Sequence, residues 1–187
     1  MSEVTAILVY DLPSENIKVI HDSSFYDEVR ALRVYSITKL HSLGIQCTES
    51  VILLPSSSMS RVNDVINNII QKYNEMKLKL QNNNIFLGFQ PIIRVLPLTQ
   101  QQQSTFIEIA KRRLIQRIDE AIDRATHMLE EVETIIEESK RKRIRYYTAQ
   151  TIREWSTIKQ FADELGIDVS REISYLIDVL ERILERC

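Results

Sequence analysis

Turn-forming residues are scarce in this chain of 187 residues, which has only 3 Gly and 4 Pro. An all-β sandwich or barrel needs a turn signal every ~8–12 residues, so that class is excluded and long helices are favoured. Cysteine is equally thin. Cys47 and Cys187 stand far apart, with no CxxC pair and no Cys/His spacing suited to zinc, which argues against a disulfide framework or a zinc ribbon. No apolar run approaches the ~18 residues of a membrane helix. The start MSEVTAILVYDLP lacks the basic flank and cleavage site of a secretory leader. A cytoplasmic protein with no membrane partner is expected. Neither sign of charge dominates: 24 Lys+Arg stand against 26 Asp+Glu, which excludes a uniformly basic nucleic-acid coat and leaves room for a local basic patch. GxSxG and phosphate-loop patterns are missing, so serine-nucleophile and P-loop chemistries have no support. His21, His41 and His127 lie in different segments with no partner at ligand spacing, and none is given a role.

What is present suits a folded core: 44% of residues are hydrophobic and 27% charged. The chain divides near Thr99. Residues 1–99 hold all the prolines and all the strand-like runs, and residues 100–187 read as helical. In the first half, Val4 to Tyr10 is a short apolar run closed by Asp11-Leu12-Pro13, as for a central strand. A helix is expected from about Tyr26 to Leu43 with Gly44 as its stop signal. Ile45 to Leu54 reads as one strand or a tight strand pair. Ser58 or Ser60 is expected to cap the helix that follows, which carries Val62, Ile66, Ile69 and Tyr73. Ile85 to Phe89 and Ile92 to Leu96 supply one or two more strands. The order β-α-β(β)-α-β is the split βαβ plan of the ferredoxin-like class, giving an α+β fold with a βαββαβ N-terminal domain and an all-α extension of two or three long helices.

From Phe106 to Leu165 there is neither proline nor glycine. Ile107, Leu114, Ile118, Ala121, Ala125, Met128, Val132 and Ile135 follow a 3-4 stripe broken only at Lys111, the pattern of a helix packing along one coiled-coil-like seam. A second amphipathic stretch ends at Gly166, and Asp168 is placed to cap a third. Whether the chain turns near Lys140 to Arg145 or runs on as one helix is open. Charge is segmented: Lys111, Arg112, Arg113 and Arg117 are basic, eight acids against Arg124 follow between Asp119 and Glu138, and Lys140, Arg141, Lys142, Arg143 and Arg145 are basic again. Such blocks can pair between antiparallel helices, stay as solvated faces, or contact phosphates. Tyr146, Tyr147 and Trp155 beside the second basic run could stack on bases, although helical spacing also points to the core.

The first half resembles a known family. Tyr10-Asp11-Leu12-Pro13 at a strand end, Leu43-Gly44 at a helix end, Ser50-Val51-Ile52-Leu53-Leu54-Pro55, and Ile93 to Leu98 are similar to the small subunit of the CRISPR spacer-acquisition complex. They are also similar to the related C-terminal domain of phenylacetate-pathway repressors, over roughly residues 4–98. The resemblance implies a ferredoxin-like homodimer in which Asp11 of each chain meets near the two-fold axis. There the paired acids could hold Mg²⁺ for phosphodiester hydrolysis, as a metal-dependent nuclease. The chain departs from the family in its longer Asp11–Gly44 segment and in Ser14-Glu15-Asn16, which replaces the usual basic residues. Asp22 and Asp27 could add carboxylates, but no spacing requires it, and Asp11 is equally an ordinary turn residue before Leu-Pro. Two functions follow. One is a dimeric protein associated with DNA or RNA that binds rather than cleaves. The other is a non-enzymatic scaffold whose C-terminal helices dock a protein partner.

Overall fold

The computed structural model describes residues 4–85, 87–135 and 137–187, with the side chains of Val4 and Thr5 left aside. Phe86, inside the run expected as a strand, lies outside the described residues. The elements are β1 (Val4–Asp11), α1 (Lys18–His21), α2 (Tyr26–His41), β2 (Ile45–Thr48), β3 (Val51–Pro55), α3 (Met59–Asn82), β4 (Ile92–Pro97), α4 (Gln100–Val132), α5 (Glu138–Glu164) and α6 (Ser170–Arg186), with a 3₁₀ turn at Ser56–Ser58. Two compact units divide the chain, one ending at Gln103 and the other covering Ser104–Cys187.

The expected βαββαβ plan is corrected. The order is β1-α1-α2-β2-β3-α3-β4, the four antiparallel strands lie in the order β2-β3-β1-β4, and helix makes up most of the chain. The long Asp11–Gly44 connection is the physical cause of the extra helix. Ser23 donates its hydroxyl to Ile20 O at 2.7 Å, and accepts from Phe25 N at 3.2 Å, which closes α1 and opens α2. Of the one or two strands expected between Ile85 and Leu96, β4 is the one that forms: the described residues at 85–89 are irregular chain, and Phe89 is buried with its ring 5.3 Å from that of Tyr73.

β1 lies in the sheet interior between β3 and β4. Its period-2 alternation sends Ala6, Leu8 and Tyr10 into one core with Leu12, where they meet Val29 and Leu40 of α2 and Val62, Ile69, Tyr73 and Leu80 of α3. Burial pushes the Tyr73 hydroxyl up to about 12, with Ser36 and Arg33 pulling it back by less.

Helix ends differ from expectation in instructive ways. α2 stops at His41 with Ser42 in helical conformation at its cap, so Gly44 is not a left-handed stop. Its role is close approach: a Cβ at Gly44 would lie 2.1 Å from Leu53 O of the neighbouring strand. Ser58 occupies the N-cap position of α3, but its side chain makes no capping bond there. Asp168 does not cap α6, whose N-cap residue is Val169. Two ends close through left-handed residues. Asn84 (φ 63°) follows α3, with Ile85 N bonding Leu80 O at 2.9 Å and Asn84 N bonding Gln81 O at 3.0 Å. Gly166 (φ 69°) follows α5, with Ile167 N bonding Ala162 O at 2.8 Å and Gly166 N bonding Asp163 O at 3.2 Å. Both are Schellman closures, which satisfy carbonyls the helix itself leaves open. α4 opens on a reciprocal capping box: Thr99 N donates to Gln102 Oε1 at 2.9 Å and Gln102 N to Thr99 Oγ1 at 3.4 Å.

In the second unit, α4 and α5 are separate helices. The chain turns between α4 and α5, ahead of the second basic run, and Arg141 Nε donates to Ile135 O at 2.7 Å on the near side of that turn. α5 packs along α6, burying Trp155, Phe161 and Leu165 on one helix and Ile173, Leu176, Leu180 and Ile183 on the other. Leu114, Ile118, Ala125 and Val132 are the buried positions of the α4 stripe. Among the described residues no helix is long and apolar enough to cross a membrane.

Candidate functional site

Asp11 is the last residue of β1, paired in register with Ile92 of β4 and exposed. Next to it the Tyr10 hydroxyl donates to Glu49 O at 2.6 Å and meets His41 Nε2 at 2.9 Å, which anchors the end of the strand. Among the described residues no group of three or more His, Cys, Asp or Glu side chains gathers as a metal site. Asp22 sits beside the His21 ring at 3.3 Å, and Asp27 lies in the first turn of α2. Asp11 thus belongs to no such group, and no hydrolytic step is drawn through it.

The two basic runs do not form one patch. Lys111, Arg112 and Arg113 belong to the early turns of α4, and Lys140 to Arg145 to the opening turns of α5, past the turn at the other end of α4. At 1.5 Å per residue, about 30 Å of helix separates Arg112 from the end of α4. Several members are already engaged. Lys140 pairs with Glu137 at 3.0 Å, Lys142 with Glu138 at 3.6 Å, Arg113 with Gln116 at 2.9 Å, and Arg141 with Ile135 O at 2.7 Å. Arg145 is exposed.

The tyrosines divide from the tryptophan. Trp155 is buried, while Tyr146 and Tyr147 remain 68% and 52% exposed, with ring centroids 5.5 Å apart in an edge-to-face arrangement. Helical spacing alone could not separate these three rings, and only Trp155 went to the interior.

Arg117 and Arg143 do come together, with a third arginine, around a cavity of about 550 Å³ between α4, α5 and α6. That size suits a small organic ligand. α4 contributes Arg117 and Arg124 and the small side chains of Ala121 and Ala125, which leave room on the inward stripe. α5 contributes Arg143, Tyr147, Glu154 and Trp155, and α6 closes the floor with Leu176 and Leu180. The Arg117 guanidinium lies 5.7 Å from the centre of the Trp155 ring, and that of Arg143 5.7 Å from the Tyr147 ring. Burial, then Arg113, holds the Arg117 pKa below its ordinary value, and Glu154 and Glu120 offset this in part. It stays a cation at neutral pH. Among the described residues, Arg117, Arg124 and Arg143 make no ion pair with a carboxylate. Glu154 is the single acid of the lining, and Gln150 donates to it at 3.2 Å.

Arg124 reads in the sequence only as the lone counter-charge of an acidic block, which hides its place at the cavity. The available signal was its spacing, seven residues after Arg117 and flanked by Ala121 and Ala125. No protein-family model, curated protein or solved structure matches the chain.

Proposed function

We propose that the protein associates with single-stranded nucleic acid without cleaving it, through the opening turns of α5. The observation that carries this is the pair of exposed rings, Tyr146 and Tyr147, directly following Lys140, Lys142, Arg143 and Arg145. Adjacent aromatic faces offer stacking to bases of any sequence, and the cations beside them offer contacts to phosphates. The carboxylates Glu137 and Glu138 pair with Lys140 and Lys142 at the surface, where such pairs are weak and phosphate can displace them. Cleavage forms no part of the reading, since among the described residues Asp11 belongs to no group of three or more metal-ligating side chains.

The test is retention of a fluorescent single-stranded oligonucleotide, as DNA and as RNA, across a salt series. Wild-type protein is expected to bind at low salt and to lose affinity steeply as salt rises. Replacing Lys140, Lys142, Arg145 and Tyr146 together by Ala is expected to abolish retention with the helical circular dichroism intact. No retention by wild type at low salt refutes the reading. Retention that ignores salt refutes the phosphate contacts of the basic run.

A homodimer belongs to the same proposal. β4 is an edge strand, and Ile92 and Leu96 on it are 55% and 44% exposed, an apolar edge that a second chain could cover. Light scattering is expected to give twice the chain mass for wild type and the single-chain mass for Leu96→Lys. A wild-type monomer at micromolar concentration removes the pairing, and with it the two-fold arrangement of Asp11.

A further inference from the structure

We infer that the cavity between α4, α5 and α6 binds a small amphiphilic anion, with a phosphate or carboxylate head held by guanidinium groups and an apolar body lying along the cavity floor. The two ends of the cavity differ. Arg117 over Trp155 marks one end, and Glu154 accompanies it there. Moving along α4, Arg124 lies about 10 Å further on by helix rise. On the antiparallel α5, Arg143 lies in the same direction, twelve residues or about 18 Å of helix before Trp155, and Tyr147 stands between. The Arg124–Arg143 end thus carries two guanidiniums with no acid among the lining residues beside it, which is where an anionic head gains most. Guanidinium forks match the paired oxygens of carboxylate and phosphate alike.

The other end supplies the apolar part. Trp155, Leu176 and Leu180 are buried side chains whose surfaces form the floor, and Ala121 and Ala125 leave the space above it. A bare inorganic anion would leave that surface unused, and a neutral hydrocarbon would leave the guanidiniums of Arg124 and Arg143 without a lining acid beside them. A ligand with both features satisfies both. The cavity shares Arg143 and Tyr147 with the proposed nucleic-acid surface, and the two are told apart through Lys140, Lys142, Arg145 and Tyr146, which do not line the cavity.

Trp155 is the only tryptophan of the chain, so its emission reports on the cavity directly. The full-length protein is titrated with octyl phosphate, octanoate, octanol and inorganic phosphate. Octyl phosphate or octanoate is expected to change Trp155 emission saturably, and the tighter of the two identifies the head group. Octanol and inorganic phosphate are expected to bind at least about tenfold more weakly. Arg124→Gln is expected to weaken the anion about tenfold, as loss of one charged hydrogen-bonding group does. Ala125→Leu, which fills the cavity with an apolar side chain, is expected to block it. Calorimetric titration of Ala121→Leu repeats the blocking test should Ala125→Leu fail to fold. The variant lacking Lys140, Lys142, Arg145 and Tyr146 is expected to bind as wild type does. Octanol binding as tightly as octyl phosphate and octanoate, no saturable change with either anion, or binding unaffected by both Arg124→Gln and the filling variants overturns the inference.

Discussion

Gly44→Ala is the substitution whose cost the structure states most directly. A Cβ there would stand 2.1 Å from Leu53 O and 3.1 Å from the Ile52 side chain, and the first contact is with backbone, which cannot rotate away. To reach the shortest contact that real side chains make, the Gly44–Ile45 segment must retreat from β3 by about 1 Å, enough to break an ordinary hydrogen bond. The Ile45–Leu53 pair is the first to part. Loss of its backbone bonds costs about 0.5–1.5 kcal/mol each, and partial exposure of Ile45, 1% exposed in the native chain, adds about 1–2 kcal/mol. A total of about 2–5 kcal/mol is large against the 5–15 kcal/mol of a typical domain. The assay is urea unfolding followed by far-ultraviolet circular dichroism together with hydrogen exchange of the β2 and β3 amides, because Trp155 lies in the other unit and is blind to this one. Gly88→Ala is the matched control: a Cβ at Gly88 meets nothing within 4 Å, so the change should be neutral or slightly stabilising. If the two variants differ by less than about 1 kcal/mol, the steric account of Gly44 is wrong.

Two further outcomes follow from the same structure. At Asn84, held at φ 63°, glycine is expected to raise unfolding free energy by up to about 1 kcal/mol and valine to lower it by about 1–2 kcal/mol; equal stability of the three proteins in urea would refute the left-handed closure. Alkaline stability should depend on Tyr73: an unfolded tyrosine loses its proton near 10.0 and the buried one near 12, so between these values the unfolded state binds fewer protons. Stability contributed by this group is complete below pH 10 and falls as pH rises to 12, by about 1–2 kcal/mol after solvent screening. Tyr73→Phe is expected to flatten that part of the curve, and an unchanged slope removes Tyr73 as its source.

Much of the helical half was legible because the absence of proline and glycine over sixty positions leaves little alternative, and β1 was legible because its apolar run is short and sharply bounded. The missing element was α1, four residues long and defined by the Ser23 hydrogen bonds rather than by any periodic pattern. Gly44 was visible as punctuation, but its reason, the nearness of Leu53 O, depends on a strand nine residues away. Ser58 and Asp168 have the right chemistry for caps, and the chain enters α3 and α6 at angles that leave them unused. The arginine cavity was half legible. Arg117 and Arg143 stood out as members of basic runs, but grouping them with Arg124 required knowing that the chain turns between α4 and α5 and folds α5 back along α4.

That turn also places five cations, Lys140 to Arg143 and Arg145, in the first two turns of a helix. The backbone amides exposed at a helix start already carry partial positive charge, and a cation in the first turn, as Lys140 and Arg141 are, costs about 0.3–1 kcal/mol, an effect that fades over the next turn. Glu138 in the first turn offsets only part of this, and Glu137 at the cap position makes no capping bond. The start of α5 is consequently electrostatically loaded against its own winding, and its amides should exchange with solvent faster than those around Trp155. An anion seated there relieves the load. Occupancy and helix formation at 138–145 then reinforce one another, so that added phosphate slows exchange in this segment more than anywhere else on α5.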